Sequence, residues 1–137
     1  MKKVLIIQTA FIGDVVLATS MIETIRKIYG KEVSLDILVR KGNEGLLEGH
    51  PYLNAILIWD KKTKKYSNLL ALSKQIRKSN YDIVYNLQRF ASTGFLTMRS
   101  KAKLKVGFKA NPFSRFFDHK IKHDLEMKLI GMLHCLI

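Results

Sequence analysis

Only one cysteine, Cys135, occurs in the 137 residues. That excludes an internal disulfide and any zinc site built from several cysteines, so packing alone must hold the fold. A lone cysteine also suits a reducing compartment. No stretch approaches the roughly 18 apolar residues that a membrane-spanning helix needs, and mean hydropathy is zero. Prolines are rare: Pro51 and Pro112 are the two. No internal repeat or low-complexity tract is present apart from a lysine cluster at 61–65. Acidic residues are scarce, 11 against 24 Lys and Arg, for a net charge of +13.

What is present fits one ordinary domain. Forty-seven per cent of residues are hydrophobic, enough for a core and too many for wholesale disorder. The length leaves no room for a second full domain, so residues 1–137 read as one unit. The excess charge is unevenly spread. Residues 1–60 carry seven Lys/Arg and seven Asp/Glu, whereas residues 61–137 carry seventeen and four. Such asymmetry suggests an anionic partner: nucleic acid, a phospholipid surface or a phosphorylated substrate. The bland alternative is a solubilising lysine-rich face. Lys2 and Lys3 before residues 4–7 imitate a signal peptide, but Gln8, Thr9 and Asp14 break the apolar run too early for one. Secretion is therefore not expected.

The hydrophobic pattern alternates strands with helices. Residues 4–7 form an unbroken apolar run, the mark of a strand buried on both faces. A turn over 9–13 leads into a helix with Ala18, Met21, Ile22, Ile25 and Ile28 at helical spacing and Gly30 as its stop. Further strands are expected at 33–39, with Asp36 the one discordant residue, and at 55–59, 82–85 and 103–106. Helices are expected at 44–47, 66–78, 92–99 and 124–137, the last with Asp124 as N-cap. This order predicts a parallel sheet of about five strands with helices on both faces and strand one in the centre. In such sheets ligands bind beyond the carboxyl ends of the strands.

The first loop is therefore the first place to look for chemistry. It lacks the three glycines of a dinucleotide fingerprint and the Gly-Lys-Ser/Thr of a phosphate loop. Gly13 allows close backbone approach or a positive φ. Asp14 reads first as an N-cap by spacing alone. The same carboxylate, displayed at the crevice, can take a proton as a general base. His119 and His123 are four apart, but the Lys-Ile-Lys between 119 and 123 reads as extended, so no metal is expected there. Trp59 and the phenylalanines read as core or interface. No RNA-binding aromatic motif, helix-turn-helix or zinc module accompanies the charge, so nucleic acid is not the expected partner.

The stretch 3–16, a hydrophobic strand, a Thr-bearing loop, Gly13-Asp14 and then Val15-Val16, resembles the opening of the lipopolysaccharide heptosyltransferase family, glycosyltransferase family nine. Further matches keep that family's order. They are Leu38-Val39 closing the second strand, His50-Pro51-Tyr52-Leu53-Asn54 running into Ile56-Leu57-Ile58, and Tyr81-Asp82-Ile83-Val84-Tyr85-Asn86-Leu87-Gln88. Val106-Gly107-Phe108 and His123-Asp124-Leu125-Glu126 follow. The resemblance covers nearly the whole chain, with Asn86 and Arg89 where the family commonly has Asp and Gly.

The resemblance implies the N-terminal, acceptor-side, Rossmann-like half of a GT-B glycosyltransferase. It implies transfer of heptose from a nucleotide-heptose to the inner core of lipopolysaccharide. Asp14 matches the family's proposed general base. Thr9, Gly13 and Arg89 become candidates for binding the phosphorylated lipid A–Kdo acceptor. Lys61, Lys62, Lys64 and Lys65 become candidates for docking on an anionic surface. No cofactor and no metal are implied. The donor would bind in a C-terminal domain that these 137 residues do not match, so the chain alone is expected to be inactive. Its expected location is cytoplasmic, peripheral on the inner face of the inner membrane. The competing expectation is a non-enzymatic basic domain that binds nucleic acid or an anionic membrane surface.

Overall fold

A computed structural model describes residues 2–8, 12–42, 44–88, 90–109 and 111–121. Six strands form one sheet: β1 (Lys3–Ile7), β2 (Ser34–Arg40), β3 (Leu53–Trp59), β4 (Ile83–Asn86), β5 (Leu104–Phe108) and β6 (His119–Ile121). Their order is β3-β2-β1-β4-β5-β6, and every pairing is parallel. Among the described residues three α-helices cover the sheet: α1 (Ile12–Tyr29), α2 (Lys65–Ser79) and α3 (Ala91–Arg99).

β1 lies centrally because its four apolar residues leave it no polar face. Val4 and Ile6 join one core, packed with Met21, Ile22 and Ile25 of α1. Leu5 and Ile7 join the other, packed with Leu69, Leu72 and Ile76 of α2 and Leu96 of α3. The alternation of strand side chains thus assigns each neighbouring pair to opposite layers. Helices cover both faces, as expected of a doubly wound unit.

Two expectations are corrected. Ile28, expected on the buried stripe of α1, is 46% exposed. At about 3.6 residues per turn Ile28 falls at the edge of the stripe formed by Met21, Ile22 and Ile25, while Tyr29 beside it packs against the core. Gly30 ends that helix at φ +76°, a conformation that favours glycine. The second correction is the sixth strand. The extended reading of the segment after His119 holds, but it also pairs with β5 from Val106 to Phe108. Its three residues, two of them basic or His, are too short and polar a run to announce a strand. The expected helix at 124–137, with Asp124, His123 and Cys135, lies outside the described residues.

Candidate functional site

The strand order reverses between β1 and β4, with β2 and β3 on one side and β5 and β6 on the other. In doubly wound sheets the ligand crevice opens at that point, past the carboxyl ends. Here the ladder closes in two steps. The Leu87 amide donates to the Ile7 carbonyl at 3.0 Å, while the Gln8 amide turns to the Leu38 carbonyl at 2.9 Å. Gln8 is buried, and its side-chain amide donates to the Leu87 carbonyl at 3.4 Å. Beyond this seal the chain leaves β1 for α1 and β4 for α3.

Gly13 and Asp14 are the second and third residues of α1. Gly13 is thus helical, and the turn expected over 9–13 ends earlier than expected. The Asp14 backbone lies in the first helical turn after the central strand, at the crevice end of the sheet. The side chain of Asp14, and Thr9 and Arg89 entirely, lie outside the described residues.

The β4–α3 connection is built from buried amides. Asn86 is fully buried. Its Oδ1 accepts from the Gln88 amide at 2.9 Å, and its Nδ2 donates to Thr97 Oγ1 at 3.1 Å. Thr97 in turn donates to the Thr93 carbonyl at 3.0 Å. Asn111, past β5, clamps the same loop from outside. Its Nδ2 lies 3.2 Å from the Gln88 carbonyl and 3.0 Å from that of Phe90, and its Oδ1 accepts from the Phe113 amide at 2.9 Å. Both residues flanking position 89 are therefore fixed. Sequence reading missed Asn111; the Asn-Pro pair at 111–112 was its only signal.

Two strands away, a cleft of about 480 Å³ opens at the carboxyl ends of β2 and β3. Arg40, Lys41, Lys61 and Lys62 line it together with Glu44, Asp60 and Trp59. The acids are committed to structure. Asp60 accepts from the Lys62 and Thr63 amides at 3.0 and 3.2 Å and pairs with Lys41 at 3.7 Å. Those amides, and Lys41 to a smaller degree, hold its pKa below the ordinary carboxylate value. Backbone amides, its own and that of Gly42, do the same for Glu44. Burial lowers the Lys61 pKa, and the charges of Arg40 and Lys65 add to it.

The four lysines expected to dock on an anionic surface stand around the turn into α2. Lys61 and Lys62 line the cleft, with Lys61 over the Trp59 ring at 5.1 Å. Lys64 stands exposed at φ +49° as the residue before α2. Lys65 lies 5.9 Å from the Trp59 ring and 5.7 Å from that of Tyr66. Trp59 is core, as expected, with its Nε1 donating to the Lys65 carbonyl at 3.2 Å. Arg40 and Lys41 are the cleft cations that sequence reading missed; their place at the end of the second strand was the available signal. Among the described residues no group of three or more His, Cys, Asp or Glu side chains is arranged to hold a metal ion.

No family model matches the chain. It is 26% identical over 117 residues to lipopolysaccharide heptosyltransferase 1 of Campylobacter coli, a match covering 85% of this chain and 34% of that protein. It is 30% identical over 107 residues to lipopolysaccharide core heptosyltransferase OpsX of Haemophilus influenzae, covering 78% of this chain and 30% of that protein. Among solved structures, the glycosyl transferase family 9 protein of Veillonella parvula superposes with a TM-score of 0.82 at 22% identity, over 98% of this chain and 41% of that one. The chain thus spans about a third of the length of the curated relatives it matches.

Proposed function

We propose, from a chain whose curated relatives are lipopolysaccharide heptosyltransferases and whose fold is that of glycosyltransferase family nine, that residues 1–137 form the acceptor-side domain of a heptose-transferring enzyme. One observation carries this reading. The Gly13-Asp14 pair that matches the family sits in the first turn of α1, directly after the central strand and beside the switch point. The competing reading, a basic domain with no enzymatic role, draws no support from the relatives.

In this reading the acceptor is the phosphorylated lipid A–Kdo core, and Asp14 is the general base. The carboxylate takes the proton of the acceptor hydroxyl, the oxygen forms a bond to the anomeric carbon of the nucleotide-heptose, and the bond to the diphosphate breaks. Thr9 and Gly13 contact the acceptor beside the base. Arg89, between the two residues that Asn111 anchors, takes acceptor phosphate, because a guanidinium binds oxyanions bidentately. Lys61 and Lys62, with Arg40, supply further cationic surface. Nucleotide-heptose binding falls to the portion of the longer relatives that this chain does not match. The location is the cytoplasmic face of the inner membrane, where such an acceptor is met.

Calorimetry with the purified chain tests the reading. Phosphorylated lipid A–Kdo core in micelles should bind, its dephosphorylated form should bind at least about tenfold more weakly, and Arg89→Ala should abolish the difference. Equal binding of both forms, or none of either, would overturn it.

A further inference from the structure

Between Lys61 and Tyr81 the chain carries seven Lys or Arg and no Asp or Glu. This stretch is mostly α2, the helix that covers the second core. Leu69, Leu72, Ser73 and Ile76 are its buried side. Tyr66, Leu70, Lys74 and Arg77 follow at i, i+4, i+8 and i+11, one exposed stripe along the flank of the helix, beside the buried side. Tyr66 is 73% exposed and Leu70 53%. Lys62 and Lys64 stand before this stripe, and Lys74, Arg77 and Lys78 end it, all exposed. Among the described residues none of these five has a carboxylate within ion-pair distance.

We infer that this outer face of α2 is a docking surface for an anionic phospholipid bilayer, with Tyr66 and Leu70 entering the interface and the flanking cations on the headgroups. Tyr66 and Leu70 add exposed aromatic and apolar surface beside these cations. An interfacial helix needs that combination: apolar and aromatic side chains at the acyl boundary and Lys/Arg against anionic lipid. At 15 residues α2 extends about 22 Å, so it can lie flat. Its first turn follows β3 and is therefore at the crevice end of the sheet. A bilayer against this face would meet the domain beside the mouth where a membrane-anchored acceptor must enter. The inference deepens the peripheral-contact part of the reading above and rests on it only for which membrane is met.

Vesicle flotation of the 137-residue chain is the test, since it requires neither acceptor nor donor. The chain should float with vesicles of 70:30 phosphatidylcholine and phosphatidylglycerol and not with phosphatidylcholine alone. Lys74→Glu/Arg77→Glu/Lys78→Glu should weaken binding at least about tenfold. Tyr66→Ser/Leu70→Ser, which leaves charge unchanged, should weaken it several-fold. Lys27→Glu/Lys31→Glu, at the end of α1 over the other core, should bind like the parent. Circular dichroism of each variant establishes that all positions, being exposed, leave the fold intact. Unchanged flotation of the triple variant would overturn the proposal. So would loss in the triple variant with none in the Tyr66/Leu70 pair and full competition by duplex DNA, the pattern of a general polyanion patch. Failure here leaves acceptor binding untouched, and failure of acceptor binding leaves flotation untouched.

Discussion

The Tyr81 hydroxyl donates to Asp36 Oδ2 at 2.5 Å, joining residues 45 positions apart, both buried. Asn54 Nδ2 reaches the other carboxylate oxygen at 3.3 Å. The discordant acid of β2 is thereby satisfied, as a buried carboxylate must be. Burial first, and the hydrogen bond and charge of Asp36 next, raise the Tyr81 pKa above its ordinary value of 10.0. Tyr81→Phe leaves Asp36 short of a charge-assisted donor and should cost about 1.5–3 kcal/mol in urea unfolding at neutral pH. A phenol whose folded pKa is raised contributes stability that is complete below the unfolded pKa. That contribution declines as pH climbs above about 10. The parent should therefore lose more stability than Tyr81→Phe between about pH 9.5 and 11.

The architecture was legible where it depended on local pattern. The unbroken apolar run of β1 announced a central strand, and the 3/4 spacing of Leu69, Leu72 and Ile76 announced the buried side of α2. Of the site residues singled out in the sequence, Thr9, the Asp14 side chain and Arg89 lie outside the described residues. What was not legible depended on partners distant in sequence. Asp36 stood out as discordant, but Tyr81 was not visible as its donor. Asn111 holds the carbonyls of Gln88 and Phe90, over 20 positions back, and no periodicity marks such a residue. The lysines at 61–65 read as one cluster, but that Lys61 and Lys65 share the Trp59 ring was not visible in their spacing.

Gly94 illustrates a constraint of the same kind. A Cβ at this position would lie 2.1 Å from Asn111 Oδ1, inside the clamp on the β4–α3 loop. The Asn111 side chain is fixed by three hydrogen bonds and cannot withdraw cheaply. Gly94→Ala should destabilise by about 1–3 kcal/mol, the scale of overpacking a filled site, despite the better helix propensity of alanine. Combining it with Asn111→Ala should cost less than the sum of the two single changes, because the clash then has no partner. Chemical denaturation of the four proteins of this cycle measures the difference; additivity would show that the two positions do not touch.

At acid pH the sensitive groups are Asp82, Asp60 and Glu44. Asp82 accepts from the Lys3 backbone amide at 2.8 Å and lies 3.4 Å from the Lys103 ammonium. That amide, then Lys103 and Lys2, lower its pKa below the ordinary value of 3.8. Depressed carboxylates contribute stability that is present above the unfolded pKa and lost as pH falls through the folded one. Stability should therefore begin to fall below about pH 5. Asp82→Asn should flatten the pH dependence in that window, with its small stability loss seen at neutral pH and absent at low pH, where Asp82 is protonated; the loss is small because the ion pair is exposed. Carbon-detected NMR titration should find all three carboxyls below their reference values.

Asp14 carries the mechanistic prediction. Its carboxylate is the proposed proton acceptor, and an asparagine amide in its place would be nearly isosteric but unable to take a proton. In an intact homologue built around this domain, Asp14→Asn should leave folding and acceptor affinity intact and lower turnover by about 10²–10⁴, the scale of losing a general base. The competing role is purely structural. The structure places Asp14 as the third residue of α1, past the N-cap position expected from its spacing, so its structural role is its charge against the helix N-terminus, worth about 0.3–1 kcal/mol. That role predicts unchanged turnover in Asp14→Asn and Asp14→Ala, with a similar small loss of stability in each. A general base predicts that both variants lose turnover alike, whatever their stability. The pH profile separates the two further: the acidic limb of kcat/KM, which reports the base in the free enzyme, should vanish in Asp14→Asn. Parent-like turnover with an unaltered acidic limb would remove Asp14 from the chemistry and leave it a first-turn charge on the helix.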